Sequence, residues 1–144
     1  ILDADAEADE APPALAGGGS DEFVGIEKCS ATVTNGVLQL AVDCRQPLAG
    51  VSQAAVFCCG YRADTPFARM PKLHVRIGAT RWECLDGAQP VARGTVTVER
   101  RPPRLTVSIP LAAAGHPERA LVCARTFVDD LPMDWTAWRV LEFQ

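Results

Sequence analysis

Ala31-Thr32-Val33-Thr34-Asn35-Gly36-Val37-Leu38-Gln39-Leu40-Ala41-Val42-Asp43-Cys44 is the stretch that decides the fold. Asn35-Gly36 is the strongest short signal for a β-hairpin, because both residues tolerate the positive φ of a tight two-residue turn. In the second arm Leu38, Leu40, Val42 and Cys44 share one face, while Gln39, Ala41 and Asp43 share the other. A strand patterned this way is half-buried, with Cys44 pointing inward.

Working outward from the hairpin, the signals stay β. Residues 23–29 form a candidate strand on the N-terminal side. On the C-terminal side, Val51–Tyr61 is a continuous apolar run long enough for a central strand, and the adjacent Cys58 and Cys59 would face opposite sides of it. Lys72–Ile77 alternates: Leu73, Val75 and Ile77 go one way, and Lys72, His74 and Arg76 go the other. Residues 94–99 and 104–109 give two more strands, joined by Arg100-Arg101-Pro102-Pro103 as an exposed corner, since proline cannot donate to a central ladder. Ala120–Val128, carrying Cys123, is another strand, Trp135–Phe143 is the last, and Leu111–His116 is placed as a helical turn. Seven or eight short strands without a long amphipathic helix define an all-β chain. The expected architecture is a disulfide-stabilised antiparallel β-sandwich with an acidic N-terminal loop or tail.

The disulfide expectation rests on the six cysteines Cys29, Cys44, Cys58, Cys59, Cys84 and Cys123. An even number spread over the body without a C-x-x-C pair reads as a disulfide framework in an oxidising compartment. Their connectivity is left open. Cys58 and Cys59, on opposite faces, would take two different partners. Zinc needs close ligand pairs, and with His74 and His116 remote the chain offers Cys58-Cys59 alone, so no metal is expected. No cofactor is expected either.

The charge is divided along the chain. The first 27 residues hold eight acids and no base, Asp3, Asp5, Glu7, Asp9, Glu10, Asp21, Glu22 and Glu27; the remaining ten acids and all fourteen bases leave the rest at +4. Residues 1–22 also carry Pro12-Pro13 and Gly17-Gly18-Gly19-Ser20 and show no hydrophobic period, which reads as an acidic flexible loop or leader ahead of a binding domain over 23–144. Such a leader on a cross-linked scaffold suggests a binder of basic partners. Ile1 runs directly into Leu2-Asp3 without a signal peptide, which fits a processed end or a break inside a longer domain. No apolar run reaches membrane-spanning length, so no membrane partner is expected.

Catalysis finds little support. No G-x-S-x-G elbow occurs, oxidised cysteines would not serve as nucleophiles, and the two histidines fall on a strand surface and in the turn Gly115-His116-Pro117. Asp129-Asp130 beside Pro132 reads as a solvated loop. Gly17-Gly18-Gly19 has acidic neighbours that would repel phosphate, and the same acids oppose nucleic acid. The chain is therefore read as no enzyme.

The order of features resembles a known family. Asp3–Glu10, Pro12-Pro13 and Gly17–Gly19 lead into a strand ending in Glu27-Lys28-Cys29, and Lys72-Leu73-His74-Val75-Arg76-Ile77-Gly78 follows with Cys84 just beyond. This is similar to the secreted poxvirus chemokine-binding proteins, β-sandwich decoys of immune evasion, and the Ala/Arg/Gly/Pro-rich usage points toward parapoxvirus-like members. The resemblance covers about 60 residues. Family members are longer, with strands and cysteines ahead of the acidic loop. The resemblance implies an extracellular virulence factor that sequesters a host chemokine. Its ligand-facing residues would be Asp3, Asp5, Glu7, Asp9, Glu10, Asp21 and Glu22, with His74 and Arg76 as candidates on the sheet.

Two alternatives stand beside it. Trp135-Thr136-Ala137-Trp138-Arg139 resembles the W-x-x-W element of the parapoxvirus factor that neutralises granulocyte–macrophage colony-stimulating factor and interleukin-2, which implies a cytokine ligand. The plain alternative is that both tryptophans pack at the sandwich edge. Leu105-Thr106-Val107-Ser108-Ile109-Pro110 ahead of Cys123 is similar to the six-cysteine adhesin modules of apicomplexan surfaces. Oligomeric state is not legible.

Overall fold

The computed structural model describes residues 24–143. The leader acids Asp3, Asp5, Glu7, Asp9, Glu10, Asp21 and Glu22 lie outside the described residues. Eleven strands follow in chain order: β1 (Ile26–Thr34), β2 (Val37–Cys44), β3 (Ser52–Tyr61), β4 (Lys72–Ile77), β5 (Trp82–Asp86), β6 (Gln89–Pro90), β7 (Thr97–Arg101), β8 (Arg104–Pro110), β9 (Arg119–Val128), β10 (Leu131–Trp135) and β11 (Arg139–Glu142). Among the described residues one 3₁₀ turn, Phe67–Arg69, precedes β4.

The strands form two antiparallel sheets. One has four strands in the order β1-β2-β8-β7; the other has seven, ordered β10-β9-β3-β4-β5-β6 with β11 also on β9. The hairpin forms as its turn residues require, with Asn35 at φ 52° and Gly36 at φ 74°. It pairs Thr34 with Val37 and Val33 with Leu38. β3 is central, between β4 and β9. Inward positions of both sheets meet in one core, including Leu38, Leu40 and Val42 from β2, Val107 and Ile109 from β8, Val56 and Cys58 from β3, and Val75 and Ile77 from β4. At about 25 cal/mol per Å² of apolar surface removed from water, such a shared core is the main force holding the sheets together.

Polar pins add direction to that force. The backbone N–H of Ile26 donates to Asp134 Oδ2 at 2.8 Å, and Thr126 Oγ1 donates to the Val24 carbonyl at 2.6 Å. Both contacts are buried and tie the start of the described chain to the β9–β10 edge of the larger sheet. Breaking either would leave a buried group unpaired.

Several sequence expectations change. The strands expected at 23–29 and 31–34 are one strand, β1, whose register shifts between Ile26 and Lys28. The extra residue lies within the first of these segments, so Ile26 and Cys29, three apart, are both buried and the alternation is lost there. Arg100 and Arg101 belong to β7, leaving Pro102-Pro103 as the whole corner. Leu111–His116 is a succession of turns that ends with Gly115 and His116 at positive φ, a conformation that stops a helix. Of the last strand expected over Trp135–Phe143, only Arg139–Glu142 pairs as β11 and Trp135 ends β10, while β5, β6 and β10 were not anticipated.

The disulfide framework is corrected. Cys29, Cys44, Cys58, Cys59, Cys84 and Cys123 are all free thiols in this structure. Five are buried and Cys59 is half-buried. Cys58 points into the core and Cys59 away from it, as adjacent strand residues must. Inside an apolar core a free cysteine packs as a small hydrophobe. Burial, the largest cause in each case, pushes the thiols of Cys29, Cys44, Cys84 and Cys123 up to about 11 and that of Cys58 up to about 12. These five stay protonated at neutral pH and are poor nucleophiles.

Candidate functional site

Alternation gives each sheet an outer face, and the two faces differ in chemistry. On the four-stranded sheet the outward positions form rows of small polar and charged residues, such as Ser30-Ala41-Thr106-Glu99 and Thr32-Gln39-Ser108-Thr97. Its ions are paired: Arg104 grips Asp43 through two bonds of 2.6 and 2.9 Å, and Arg101 meets Glu99 at 2.5 Å. The Arg104 hydrogen bonds hold the Asp43 carboxyl below its ordinary value.

The seven-stranded sheet turns aromatic and cationic groups outward. One row runs Cys123-Phe57-His74-Leu85 and the next Trp135-Arg125-Ala55-Arg76-Glu83. His74 stacks on Phe57 with ring centroids 4.3 Å apart and planes 16° from parallel. The Arg125 guanidinium lies 5.6 Å from the Phe57 ring centroid and that of Arg76 lies 5.9 Å from Phe127. Such cation–π contacts are worth about 0.5–1 kcal/mol when exposed. Arg76 also donates to Gln53 Oε1 and Asp130 Oδ1, each at 3.0 Å. Burial, and secondarily Arg76, lowers the His74 pKa, which favours the neutral ring. Its Nε2 and the Nε of Arg125 are buried and have no hydrogen-bond partner among the described residues.

At one end of this face is a groove of about 380 Å³, lined by Phe57, Phe67, Leu121, Trp138, Lys72 and the cysteines of β3. Two local devices build its walls. Lys72 Nζ donates to the carbonyls of Phe67 and Met70 at 2.6 and 2.9 Å and sits 4.3 Å from the Phe67 ring centroid, so it fastens the 3₁₀ turn that presents Phe67. Between β10 and β11, Thr136 replaces regular pairing: its N–H donates to the Ala124 carbonyl and its hydroxyl accepts from the Ala124 N–H, both at 2.9 Å. That interruption frees Trp138 from the ladder and brings it to 6.2 Å from Phe57. Phe67, Val140, Trp138 and Leu121 are 69%, 56%, 50% and 39% exposed. Large side chains gathered in the open around one depression mark an interaction surface more often than single exposed hydrophobics do.

Of the residues singled out from sequence, the structure brings His74 and Arg76 together on this face, two residues apart on β4. It places Trp138 at the groove and leaves Trp135 half-buried at the end of β10. Phe57, Phe67, Leu121, Lys72 and Arg125 were not singled out. The alternation of β9, with Leu121, Cys123, Arg125 and Phe127 on one side, was the available signal. Among the described residues no group of His, Cys, Asp and Glu is placed to hold a metal ion, and no helix is long and apolar enough to cross a membrane. No protein-family model matches the chain, and no curated protein matches it.

Proposed function

We propose that this chain is a secreted, non-catalytic decoy that sequesters a host chemokine, with the outer face of the seven-stranded sheet making the desolvated contact and the acidic leader supplying long-range attraction. The observation that carries this reading is the exposed apolar groove between Phe67, Leu121 and Trp138. Aromatic residues in a depression, surrounded by polar groups, are the usual composition of a protein-binding hot spot. Attraction from exposed carboxylates is screened within about 8 Å at physiological salt, so slow dissociation needs such a patch.

A second reading has its own support. The half-exposed Trp138 of the W-x-x-W element, on a face bearing Lys72, Arg76 and Arg125, suits a neutral or acidic cytokine of the granulocyte–macrophage colony-stimulating factor type. Surface plasmon resonance of the immobilised chain against basic chemokines and against these cytokines separates the two. Capture of chemokines, with an association rate that falls as salt rises, supports the first reading. Capture of the cytokine alone transfers the proposal to the second, and capture of neither removes both.

A further inference from the structure

We propose that the groove on the seven-stranded sheet receives one amphipathic α-helix of a partner, lying across the strands with an acidic side chain over Lys72. This rests on the reading of that face as the binding surface and names the element that fills it. Strand register gives the groove its shape. Val140, Leu121, Cys59 and Lys72 are direct cross-strand neighbours on β11, β9, β3 and β4, so they form one outward row. The next row runs Phe57-His74-Leu85, with Trp138 leaning on Phe57. Charged rows border this pair. On one side is Glu142-Arg119-Tyr61, with Arg119 and Glu142 ion-paired at 3.3 Å, and on the other Arg125-Ala55-Arg76-Glu83. The two middle rows make an apolar band across three or four strand spacings, about 14–19 Å long. That is the length of about 9–13 helical residues, and two rows about 7 Å apart match the apolar stripe of a helix about 10 Å across.

Hydrogen bonding selects a helix over an extended segment. The main chain of β3 is taken up by ladders to β4 and β9, and that of β9 by ladders to β3 and β11. The side chains lining the groove are apolar apart from the thiols and Lys72. An extended main chain laid here would lose water from its own N–H and C=O groups and find no replacement, whereas a helix satisfies them internally. Lys72 sets the charge of the occupant. It is the one ionised side chain in the lining and forms no ion pair among the described residues. Two of its three N–H donors go to the carbonyls of Phe67 and Met70, and a carboxylate suits the third. A second copy is not the occupant, because among the described residues this chain has no α-helix to offer.

The test is a phage-displayed library of a three-helix scaffold, randomised on one helix face and selected on the immobilised full chain beside a library of unstructured linear peptides. The expected outcome is enrichment from the helical library, with apolar residues at i, i+3 or i+4 and i+7 and an Asp or Glu at one end. With folding checked by circular dichroism, Val140→Asp at the exposed edge and Leu121→Ala should each weaken the selected binder about 10-fold or more. Thr32→Ala/Ser108→Ala on the opposite exterior should leave it unchanged. Lys72→Met should weaken the acidic binder about threefold more than a binder whose acid is replaced by the amide, which separates charge from loosening of the Phe67 turn. No enrichment from the helical library, enrichment from the linear library alone, or a binder indifferent to both Val140→Asp and Leu121→Ala overturns the proposal. Capture of a chemokine or cytokine while no helix is selected removes the helix and leaves the binding face. Selection of the helix while neither is captured supports the helix and removes the proposed ligands.

Discussion

The two sheets share a core and have opposite exteriors. The four-stranded sheet buries Leu38, Leu40, Val107 and Ile109 and shows water rows of serine, threonine and paired ions. The seven-stranded sheet buries an equivalent set and shows water Phe67, Trp138, Leu121 and a layer of arginine on aromatic rings. A scaffold needs the first kind of exterior for solubility. The second kind keeps an apolar groove in contact with water, which folding alone does not require. The difference teaches where to look for a partner.

Substitutions sharpen this contrast, beginning with what the sheets share. Leu40→Ala, inward on β2, should cost about 2–5 kcal/mol, whereas Gln39→Ala on the outward side should stay within about 0.5 kcal/mol; urea denaturation measures both. Next, Asp134→Ala orphans the Ile26 N–H and should cost about 1–3 kcal/mol. That loss of midpoint would show that the leader-proximal end is anchored to the larger sheet.

Acid separates the two exteriors. His74 has a pKa lowered by burial, so its contribution is present above the unfolded value of 6.5 and is lost as pH falls through the folded value. Asp43 is lowered from 3.8 by Arg104, so its contribution is complete above 3.8 and disappears only below that. Thermal midpoints followed downward from pH 7.5 should therefore decline first through the larger sheet. His74→Phe should remove the early decline and leave the late one. The smallest effect belongs to the smaller sheet's surface: a double-mutant cycle on Asp43 and Arg104 should return about 0.2–1 kcal/mol, the range of exposed pairs.

Much of this fold was legible because the signals were local. Asn35-Gly36 set the hairpin, the alternation of Lys72–Ile77 set β4, and the apolar run at Val51–Tyr61 marked the central strand. What failed depended on tertiary context. The bulge near Glu27 broke the period of β1, and β5, beside the two-residue edge strand β6, buries Cys84 alone, too little for a pattern. Thr136 interrupted the last strand by offering its side chain to Ala124. Cysteine number and spacing carried no information about pairing in space. The groove was least legible, because Phe57, Phe67, Leu121 and Trp138 come from four separate segments that no single period connects.

The central claim is that partners bind the outer face of the seven-stranded sheet. The most direct measurement is the dissociation constant, by surface plasmon resonance, of a captured chemokine or cytokine for Leu121→Ala/Trp138→Ala and for Thr32→Ala/Ser108→Ala on the opposite exterior. With both variants folded by circular dichroism, the first should bind about 30-fold or more weakly, the scale of a hot-spot loss near 2 kcal/mol. The second should match the parent chain. Equal binding by all three, or a loss confined to the Thr32/Ser108 variant, would contradict the account.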